Sequence, residues 1–488
     1  MRVRIRHIVF ASACLLLITG GLEAKKPVMT PQDTPVVGPW DHALVNELYR
    51  DIAGQNPDAG LKAFRETERF QELMQEEPLE LLGGPMLGCV TPNSARIWVR
   101  TNGPATVRAV VSEDGTFRDP LRSDPVKTSA QDDFTALLEV SGLEPFSDYH
   151  YDILLDGESM LDGSEPTCPE RPSFRTYPEK GQKVRFSVAY GGGARYIPEK
   201  EHMWDVIASR SPTAFLFLGD NVYIDEPHNR TKQRVMYYRR QLRPEYRRLT
   251  ASTSMYAIWD DHDFGDNDCA GGLDPFKPEW KVPAWRVFKE NWNNPYYGGG
   301  EDQPGCWFDF SIGDVDFFMT DGRYYRDFGE GTMLGPAQKE WLKRRLKASD
   351  ATFKLIVSPV EWTKYADKGG GDSWWGVPEE REEIFTCIDD NNIGGVVLLS
   401  ADRHRTDIFK MERDVGYPLY EFETSKLTNN HTHGTKDKAV FSYNDGNFYG
   451  RLTFDFTRAD PVFTFRCITD NDETVHKMTL SRSQLQPE

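Results

Sequence analysis

The stretch Trp259-Asp260-Asp261-His262-Asp263-Phe264-Gly265-Asp266-Asn267-Asp268 places five carboxylates and one imidazole within ten residues. Carboxylates at this density repel one another unless a cation neutralises them. The apolar run just before it, residues 254–259, predicts a strand that enters the core. The carboxylates therefore follow the C-terminal end of a strand, where open α/β sheets place their ligands. An acidic, solvated loop is the competing interpretation when this stretch is considered alone.

Two further strands are predicted to end in the same way. The apolar run at residues 214–218 leads into Asp220 and Tyr223, and a second apolar run ends just before Asp402 and His404. Continuous apolar runs of this length are typical of strands buried on both faces of a sheet. Carboxylate, phenolate and imidazole groups all bind metals. Three strand ends of this kind predict an α/β protein with a polynuclear metal site at the edge of its sheet.

These positions also resemble a known family. Gly219-Asp220-x-x-Tyr223 and residues 259–263, 320–327 and 400–404 resemble, in order, motifs of the PhoD-type alkaline phosphatases of the calcineurin-like metallophosphatase superfamily. Shorter matches occur at Pro336-x-Gln338, Asp372-Ser373-Trp374 and Glu380-Arg381. The resemblance implies that residues 183–488 form a sandwich of two mixed sheets flanked by helices. It also implies that metals bind at the strand ends between the sheets.

The resemblance implies a set of metal ligands. Asp220 would bridge two cations, and Tyr223 would bind ferric iron where iron is present. Asp261, Asp402 and His404 would complete the metal shells. A core tyrosine with a satisfied hydroxyl is the structural alternative for Tyr223.

The resemblance implies three further residues for the chemistry. His262 would donate a proton to the leaving group as the P–O bond breaks, and Asp263 would orient its imidazole. Arg323 matches the geometry of phosphate oxygens, although a salt bridge to the acidic cluster explains it equally well. The implied reaction is in-line attack on phosphorus by a cation-bound hydroxide, without a covalent phosphoenzyme.

One departure from the family concerns the metal. The family has a Cys ligand for iron after the first strand, whereas this chain has Tyr190-Gly191-Gly192-Gly193-Ala194-Arg195 there. The missing thiolate argues against iron, and an Asp at position 402 favours a harder cation. We therefore expect a divalent metal, calcium first, with iron as the alternative. The glycine run either offers backbone N–H groups to phosphate or is only a tight turn.

Charge restricts the partners. The formal net charge of −18 argues against nucleic acid or an anionic membrane as a default partner. We expect a small phosphoester substrate, which the motifs do not resolve into monoester or diester, and the sequence does not predict the oligomeric state. The alternative from another functional class is a non-catalytic, secreted, metal-containing binding protein on a degenerate metallophosphatase scaffold.

The N-terminal region predicts export. Residues 1–24 combine early arginines, an apolar run from residue 8 to residue 18 and a cleavage-like Leu22-Glu23-Ala24, as secretory signal peptides do. The apolar run is short for a membrane span, so no stable insertion is expected. We expect a periplasmic or extracellular protein, with an uncleaved anchor as the minority interpretation.

Two regions separate the signal peptide from the α/β region. Residues 25–82 predict a linker and a small helical extension packed on a later domain. Residues 83–178 predict a β-sandwich of about seven strands that resembles a fibronectin type III domain, with a Tyr hydroxyl of the motif Leu143-x-Pro145-x-x-x-Tyr149-x-Tyr151 bonding back to the chain at a corner. Two disulfide pairs are conceivable among the exported cysteines, Cys89–Cys168 and Cys269–Cys306.

Overall fold

The fold is known from a computed structural model, which describes Ile52 and residues 55–76, 79–161, 171–366 and 371–487. The predicted signal peptide and most of the predicted linker lie outside the described residues. The described helices are α1 (Leu61–Arg65), α2 (Glu68–Glu76), α3 (Met203–Ser209), α4 (Arg230–Gln241), α5 (Pro244–Ser252), α6 (Asp261–Phe264), α7 (Lys281–Asn291), α8 (Gly335–Ala348) and α9 (Pro378–Asp390).

The strands fall into an N-terminal and a C-terminal group. The first group is β1 (Leu81–Gly88), β2 (Ser94–Thr101), β3 (Thr106–Ser112), β4 (Leu121–Arg122), β5 (Val126–Lys127), β6 (Thr135–Ser141), β7 (Asp148–Leu155), β8 (Glu158–Ser159) and β9 (Ser173–Arg175). The second group is β10 (Arg185–Gly191), β11 (Ala214–Leu218), β12 (Ser254–Ile258), β13 (Phe308–Ile312), β14 (Val315–Met319), β15 (Phe353–Val357), β16 (Val396–Ser400), β17 (Thr406–Met411), β18 (Leu419–Thr424), β19 (Phe441–Tyr443), β20 (Phe448–Asp455), β21 (Val462–Thr469) and β22 (Thr474–Ser481).

The C-terminal strands form two mixed sheets. One has the order β12-β11-β10-β20-β21-β22, and the other has the order β13-β14-β15-β16-β18-β17-β19. In the first, β10, β11 and β12 run parallel; in the second, β14, β15, β16 and β18 do. Aromatic side chains join the sheets: the ring centroids of Phe353 and Phe454 lie 5.8 Å apart. The predicted α/β sandwich of two mixed sheets is confirmed.

The predicted site strands occupy parallel positions in these sheets. β11 and β12 are buried along their whole length, as is β16 in the other sheet. Because the carboxyl ends of parallel neighbours lie at one edge, the segments after β11 and β12 emerge side by side. The segments after β16 and β18 do the same in the second sheet.

The N-terminal strands form two antiparallel sheets. One is β1-β2-β6, and the other is β4-β3-β7-β8, with β5 on β3 and β9 on β7. The described strands exceed the predicted seven because β4, β5 and β8 are pairs of residues that sequence periodicity does not reveal. The Tyr149 hydroxyl accepts a hydrogen bond from the Glu144 amide at 2.9 Å, as the corner motif predicts. The fibronectin type III assignment itself remains a prediction.

Short polar contacts attach the N-terminal sheets to the α/β region. The Tyr151 hydroxyl donates to the Ala251 carbonyl at 2.7 Å, and Arg247 Nη2 donates to the Leu81 carbonyl at 2.7 Å. A single cluster of buried apolar side chains runs through both regions. Helices α1 and α2 contact the α/β region, with Phe64 of α1 packed against Tyr238 of α4.

The disulfide predictions have separate outcomes. Cys269 and Cys306 are free thiols, so that predicted pair does not form. Cys306 lies fully buried, and its backbone N–H donates to Asp321 at 2.9 Å, which fixes it in the core. The other pair involves Cys168, which lies outside the described residues. None of the helices in the described part of the chain combines the length and apolar character that a bilayer crossing requires.

Candidate metal centre

The loops after β11 and β12 touch each other at a glycine. Gly219 has φ +104°, and a Cβ on it would lie 2.5 Å from the Asp260 Cβ. Only glycine adopts that backbone and leaves that space. This close approach brings Asp220 next to the acidic stretch.

Three predicted residues meet on this side of the site. Ligand atoms of Asp220, Asp261 and His262 all lie within 4.8 Å of one another. The Asp261 carboxylate accepts hydrogen bonds from the backbone amides of His262 and Asp268, at 2.9 and 2.6 Å. Asp261 is thereby held facing Asp220 instead of solvent.

The second sheet contributes from the loop after β16. His404 Nε2 lies 3.4 Å from the Tyr223 hydroxyl and 3.9 Å from Asp220 Oδ2. The Tyr223 hydroxyl in turn donates to Asp220 Oδ2 at 2.7 Å. The charge of Asp402 contributes to raising the pKa of Asp220 and opposes the lowering of the pKa of His404 by burial. The structure therefore brings Asp220, Tyr223, Asp261 and His404 together across the two sheets, and Asp402 lies two residues before His404 in the same loop.

Three of the predicted ligands have a strained backbone conformation. Asp220, Asp402 and His404 all have positive φ, at 53°, 76° and 50°. Non-glycine residues in this region cost on the order of 1 kcal/mol or more, and they persist where the surroundings fix them. Three of the five predicted ligands are therefore among the described non-glycine residues with positive φ, which their surroundings must hold in place.

Asn429 is a site residue that the sequence interpretation missed. Its Nδ2 donates to the Tyr223 hydroxyl at 2.7 Å and lies 3.5 Å from His404 Nε2. Its Oδ1 accepts from the His431 amide at 2.9 Å, which fixes the orientation of the carboxamide. Asn429 follows β18, a parallel strand that ends at the same edge, so the rule used for the other three strand ends identifies it.

Two more histidines lie beside His404. The ring centroids of His431 and His433 are 5.1 and 5.8 Å from that of His404. His431 is exposed and His433 is partly buried, so they form the solvent-facing border of the site. Nothing in strand periodicity identifies them, because they lie in an irregular segment.

The partner of His262 differs from the prediction. His262 Nδ1 lies 2.5 Å from Asp225 Oδ1, and the two rings of His262 and Tyr223 are 4.2 Å apart. Asp263 instead accepts from the backbone amides of Asn221 and Val222, at 3.1 and 2.9 Å. Asp225 therefore takes the orienting position predicted for Asp263, because α6 turns the Asp263 side chain towards the loop after β11.

Arg323 is fully buried between carboxylates. It forms an ion pair with Asp260, and its Nη1 and Nη2 contact Asp372 at 2.6 and 2.9 Å. This is the salt-bridge alternative noted for the sequence. Residues of the shorter motifs make buried hydrogen bonds nearby. Gln338 accepts one from the Asp321 amide at 2.7 Å, and Glu380 accepts one from the Thr332 hydroxyl at 2.8 Å.

The glycine run after β10 is used for packing. The Gly192 amide donates to the Thr424 carbonyl at 3.2 Å, and a Cβ on Gly192 would lie 2.7 Å from the Ala401 Cβ. Gly193 has φ +67°. The run therefore joins the loops of the two sheets, and the Gly192 amide is engaged within the protein.

Crowding of charge shifts the pKa values in the site. Burial, aided by the charges of Asp261 and Asp402, raises the pKa of Asp220 to about 7. Burial by itself would lower the pKa of His262, but the carboxylates of Asp220, Asp261 and Asp225 raise it well above its ordinary value. Burial lowers the pKa of His404 to about 4, so its imidazole is neutral at pH 7 and can bind a metal.

The residues present fit a hard cation. The Oδ1 atom of Asp220 and the Oδ2 atom of Asp260 are buried and have no hydrogen-bond partner among the described residues. A buried carboxylate oxygen without a donor is costly, and a cation removes that cost. The surrounding donors are mostly carboxylate and phenol oxygens with one neutral imidazole, a set suited to calcium or another hard metal.

Two mixed sheets with acidic residues and histidine at their joined strand ends define a metallophosphatase-like protein. The sequence model of the PhoD-like phosphatase family matches residues 188–453, which is more than half of the chain. The chain belongs to the PhoD-like phosphatase family. A second model, described as a domain of unknown function (DUF7800), matches residues 78–173, the N-terminal sheets.

Individual relatives agree with this assignment. Alkaline phosphatase D of Bacillus subtilis (strain 168) is 24% identical over 344 residues, which span 61% of this chain and 58% of that protein. A solved structure of PhoD matches with a TM-score of 0.68 at 18% identity, covering 83% of this chain and 91% of the other. Purple acid phosphatase PPD1 from yellow lupin (Lupinus luteus) seeds matches with a TM-score of 0.57 at 12% identity, over 82% of this chain and 74% of the other. The two structural similarities concern the fold.

Proposed function

We propose that this protein is an exported, metal-dependent phosphoester hydrolase. The observation that carries the proposal is the meeting of the two sheets at one acidic site, where Tyr223 contacts Asp220 at 2.7 Å and approaches His404 to 3.4 Å. Membership of the PhoD-like phosphatase family and the name of the Bacillus relative, alkaline phosphatase D, support the reaction class.

Asp220, Tyr223, Asp261, Asp402 and His404 would hold the cations. Oxygen donors predominate in this set, and the thiolate of the family is absent, so calcium is the metal we propose and iron is the alternative. Cations bound there would polarise the phosphoryl group and supply a nucleophilic hydroxide at moderate pH.

His262 would protonate the leaving oxygen. Its Nδ1 lies 2.5 Å from Asp225 Oδ1, and this contact fixes the orientation of the ring and therefore of its Nε2. The carboxylates around it raise its pKa, and a protonated imidazole is the form that a general acid needs. Asp225 is a positioning residue because it acts through His262.

Asp263 and Arg323 would act through the ligands. Asp263 holds the loop that carries Asp220, and Arg323 fixes Asp260 and Asp372 behind the site. Because Arg323 is fully buried between these two carboxylates, we propose this positioning role for it in place of the predicted contact with phosphate. Export rests on the signal peptide predicted at residues 1–24.

The decisive experiment combines elemental analysis with two assays. We expect the purified protein to contain bound metal, calcium above all, and to hydrolyse p-nitrophenyl phosphate, bis-p-nitrophenyl phosphate or both. His262→Ala should keep its metal content and lose roughly 100-fold or more in kcat because general acid catalysis contributes about that factor.

His150→Ala is the matched control, because His150 lies on β7 of the N-terminal sheets. It should retain wild-type rates. Fully metal-loaded protein that cleaves neither ester would reject the enzyme proposal and favour a metal-containing binding protein.

A further inference from the structure

Arg195 follows the glycine run and is anchored beside the metal centre. The neighbouring Ala194 amide donates to the Asp220 carbonyl at 2.8 Å, and the Arg195 carbonyl accepts from the Thr428 hydroxyl at 2.6 Å. Thr428 precedes Asn429, the residue that contacts Tyr223. The main chain of Arg195 is thus tied to loops of both sheets.

The Arg195 side chain lies over a predicted ligand. Its Cζ is 5.8 Å from the centroid of the Tyr223 ring, and the side chain is only partly buried. Its guanidinium makes no ion pair with any residue that the structure describes. The donors of Arg195 are therefore available to an anion that enters the site.

The other arginines around the site are occupied. Arg323 is buried between Asp260 and Asp372, and the Nε of Arg403 lies 3.3 Å from Glu361 Oε1. At a site so rich in carboxylates, a guanidinium that faces the entering group adds to the attraction that bound metal would exert on an anionic substrate. Among these three side chains, Arg195 has the guanidinium that is free to do so.

We propose that Arg195 binds a terminal phosphoryl oxygen of the substrate and thereby favours phosphomonoesters over diesters. This inference rests on the proposed hydrolase function. A monoester dianion carries one more terminal oxygen and one more negative charge than a diester. Guanidinium forms strong, charge-assisted hydrogen bonds to such oxygens, whereas the second ester group of a diester is uncharged.

The test compares Arg195→Ala and Arg195→Lys with the wild type on p-nitrophenyl phosphate and bis-p-nitrophenyl phosphate. In Arg195→Ala we expect kcat/KM to fall roughly 100-fold for the monoester and clearly less for the diester, since loss of one preorganised donor costs about that much. Arg195→Lys should recover part of the monoester activity, because it restores the charge without the planar pair of donors.

Arg185→Ala is the matched control. Arg185 is exposed at the opposite end of β10, so its loss changes the net charge equally without touching the site. It should leave both activities unchanged. Metal content and the unfolding temperature of each variant show whether the fold and the centre are intact.

Calorimetric titration with inorganic phosphate separates this inference from the proposed function. Arg195→Ala should weaken phosphate binding at least tenfold while Arg185→Ala does not. If the wild type cleaves neither ester yet phosphate binding depends on Arg195, the hydrolase proposal fails and the anion site stands. Equal phosphate affinity in Arg195→Ala and wild type, or equal losses on both esters, would overturn the role of Arg195.

Discussion

At the scale of single residues, the site depends on which carboxylate faces which base. Sequence proximity pairs His262 with Asp263, its neighbour, but the structure pairs it with Asp225, whose Oδ1 is 2.5 Å away. The Asp263 carboxylate instead accepts hydrogen bonds from backbone amides of the loop after β11. Adjacent residues in a helical turn point in different directions, so the nearest acid in sequence is not the nearest in space.

Asp225→Asn should change the pH dependence of hydrolysis. The negative charge of Asp225 is one of the causes that raise the pKa of His262. Without that charge the pKa falls, so the acid form of His262 is lost at a lower pH. The alkaline limb of the kcat profile should therefore move to lower pH.

Glu226→Gln provides the control for that profile, because Glu226 pairs with Lys232 at 2.7 Å. The alkaline limb of the kcat profile of Glu226→Gln should coincide with that of the wild type. An unchanged or more alkaline limb in Asp225→Asn would contradict the assigned contact between Asp225 and His262.

At the scale of elements, the strand ends are held together by close backbone approaches. Gly219 lets the loop after β11 lie against Asp260 at the start of α6, and Gly192 lets the loop after β10 lie against Ala401. These glycines explain how loops from four strands reach one site without intervening side chains.

Gly219→Ala should destabilise the protein and weaken metal binding. Its φ of +104° costs an alanine roughly 1–3 kcal/mol, and the overlap of the new Cβ with the Asp260 Cβ adds to that cost. Denaturant unfolding and metal content measure the two effects.

Gly181→Ala separates the backbone cost of an alanine at positive φ from the cost of the Cβ overlap. Gly181 has φ +80°, with nothing within 4 Å of the position of a Cβ, so it carries the backbone cost alone. If Gly219→Ala loses no more unfolding free energy than Gly181→Ala and keeps its full metal content, the close approach of Gly219 to Asp260 is not important.

At the scale of the whole molecule, the N-terminal sheets and the α/β region share one buried core. Tyr151 reaches across the boundary to the Ala251 carbonyl, and Arg247 reaches back to Leu81. Regions joined by buried apolar contacts and satisfied hydrogen bonds are expected to unfold together.

Calorimetry should therefore show one cooperative transition for the two regions. Tyr151→Phe should lower its midpoint, because the buried Ala251 carbonyl loses its donor at a cost of roughly 1–3 kcal/mol. Two separate transitions in the wild type would show that the boundary does not couple the regions.

Removal of metal should also act on the whole molecule. The proposed ligands come from both sheets, so bound cations stabilise their junction, and stabilisation grows to about 2.7 kcal/mol when free metal is a hundredfold above its dissociation constant. A chelator should lower the unfolding temperature, and added calcium should restore it. In Asp220→Asn the chelator effect should be much smaller; an equal effect there would place the stabilising metal elsewhere.

Much of the fold can be predicted from the sequence because its strands are strongly patterned. The buried runs at β11, β12 and β16 appear as apolar stretches, and the polar residues that follow them are visible at once. The two-residue strands β4, β5 and β8 are not predictable, since a pair of residues has no periodicity.

The sequence by itself determined the α/β class and the strand ends, because these follow from local pattern. It also supplied the proposed roles of Asp220, Asp261, His262, Asp402 and His404, through residue type and the family resemblance. Only the tertiary structure decided which groups face one another. It made Arg323 a buried partner of Asp260 and Asp372, brought Asn429 to Tyr223 and placed the Arg195 guanidinium over the Tyr223 ring. Side-chain direction depends on contacts between distant segments, and local sequence does not encode those contacts.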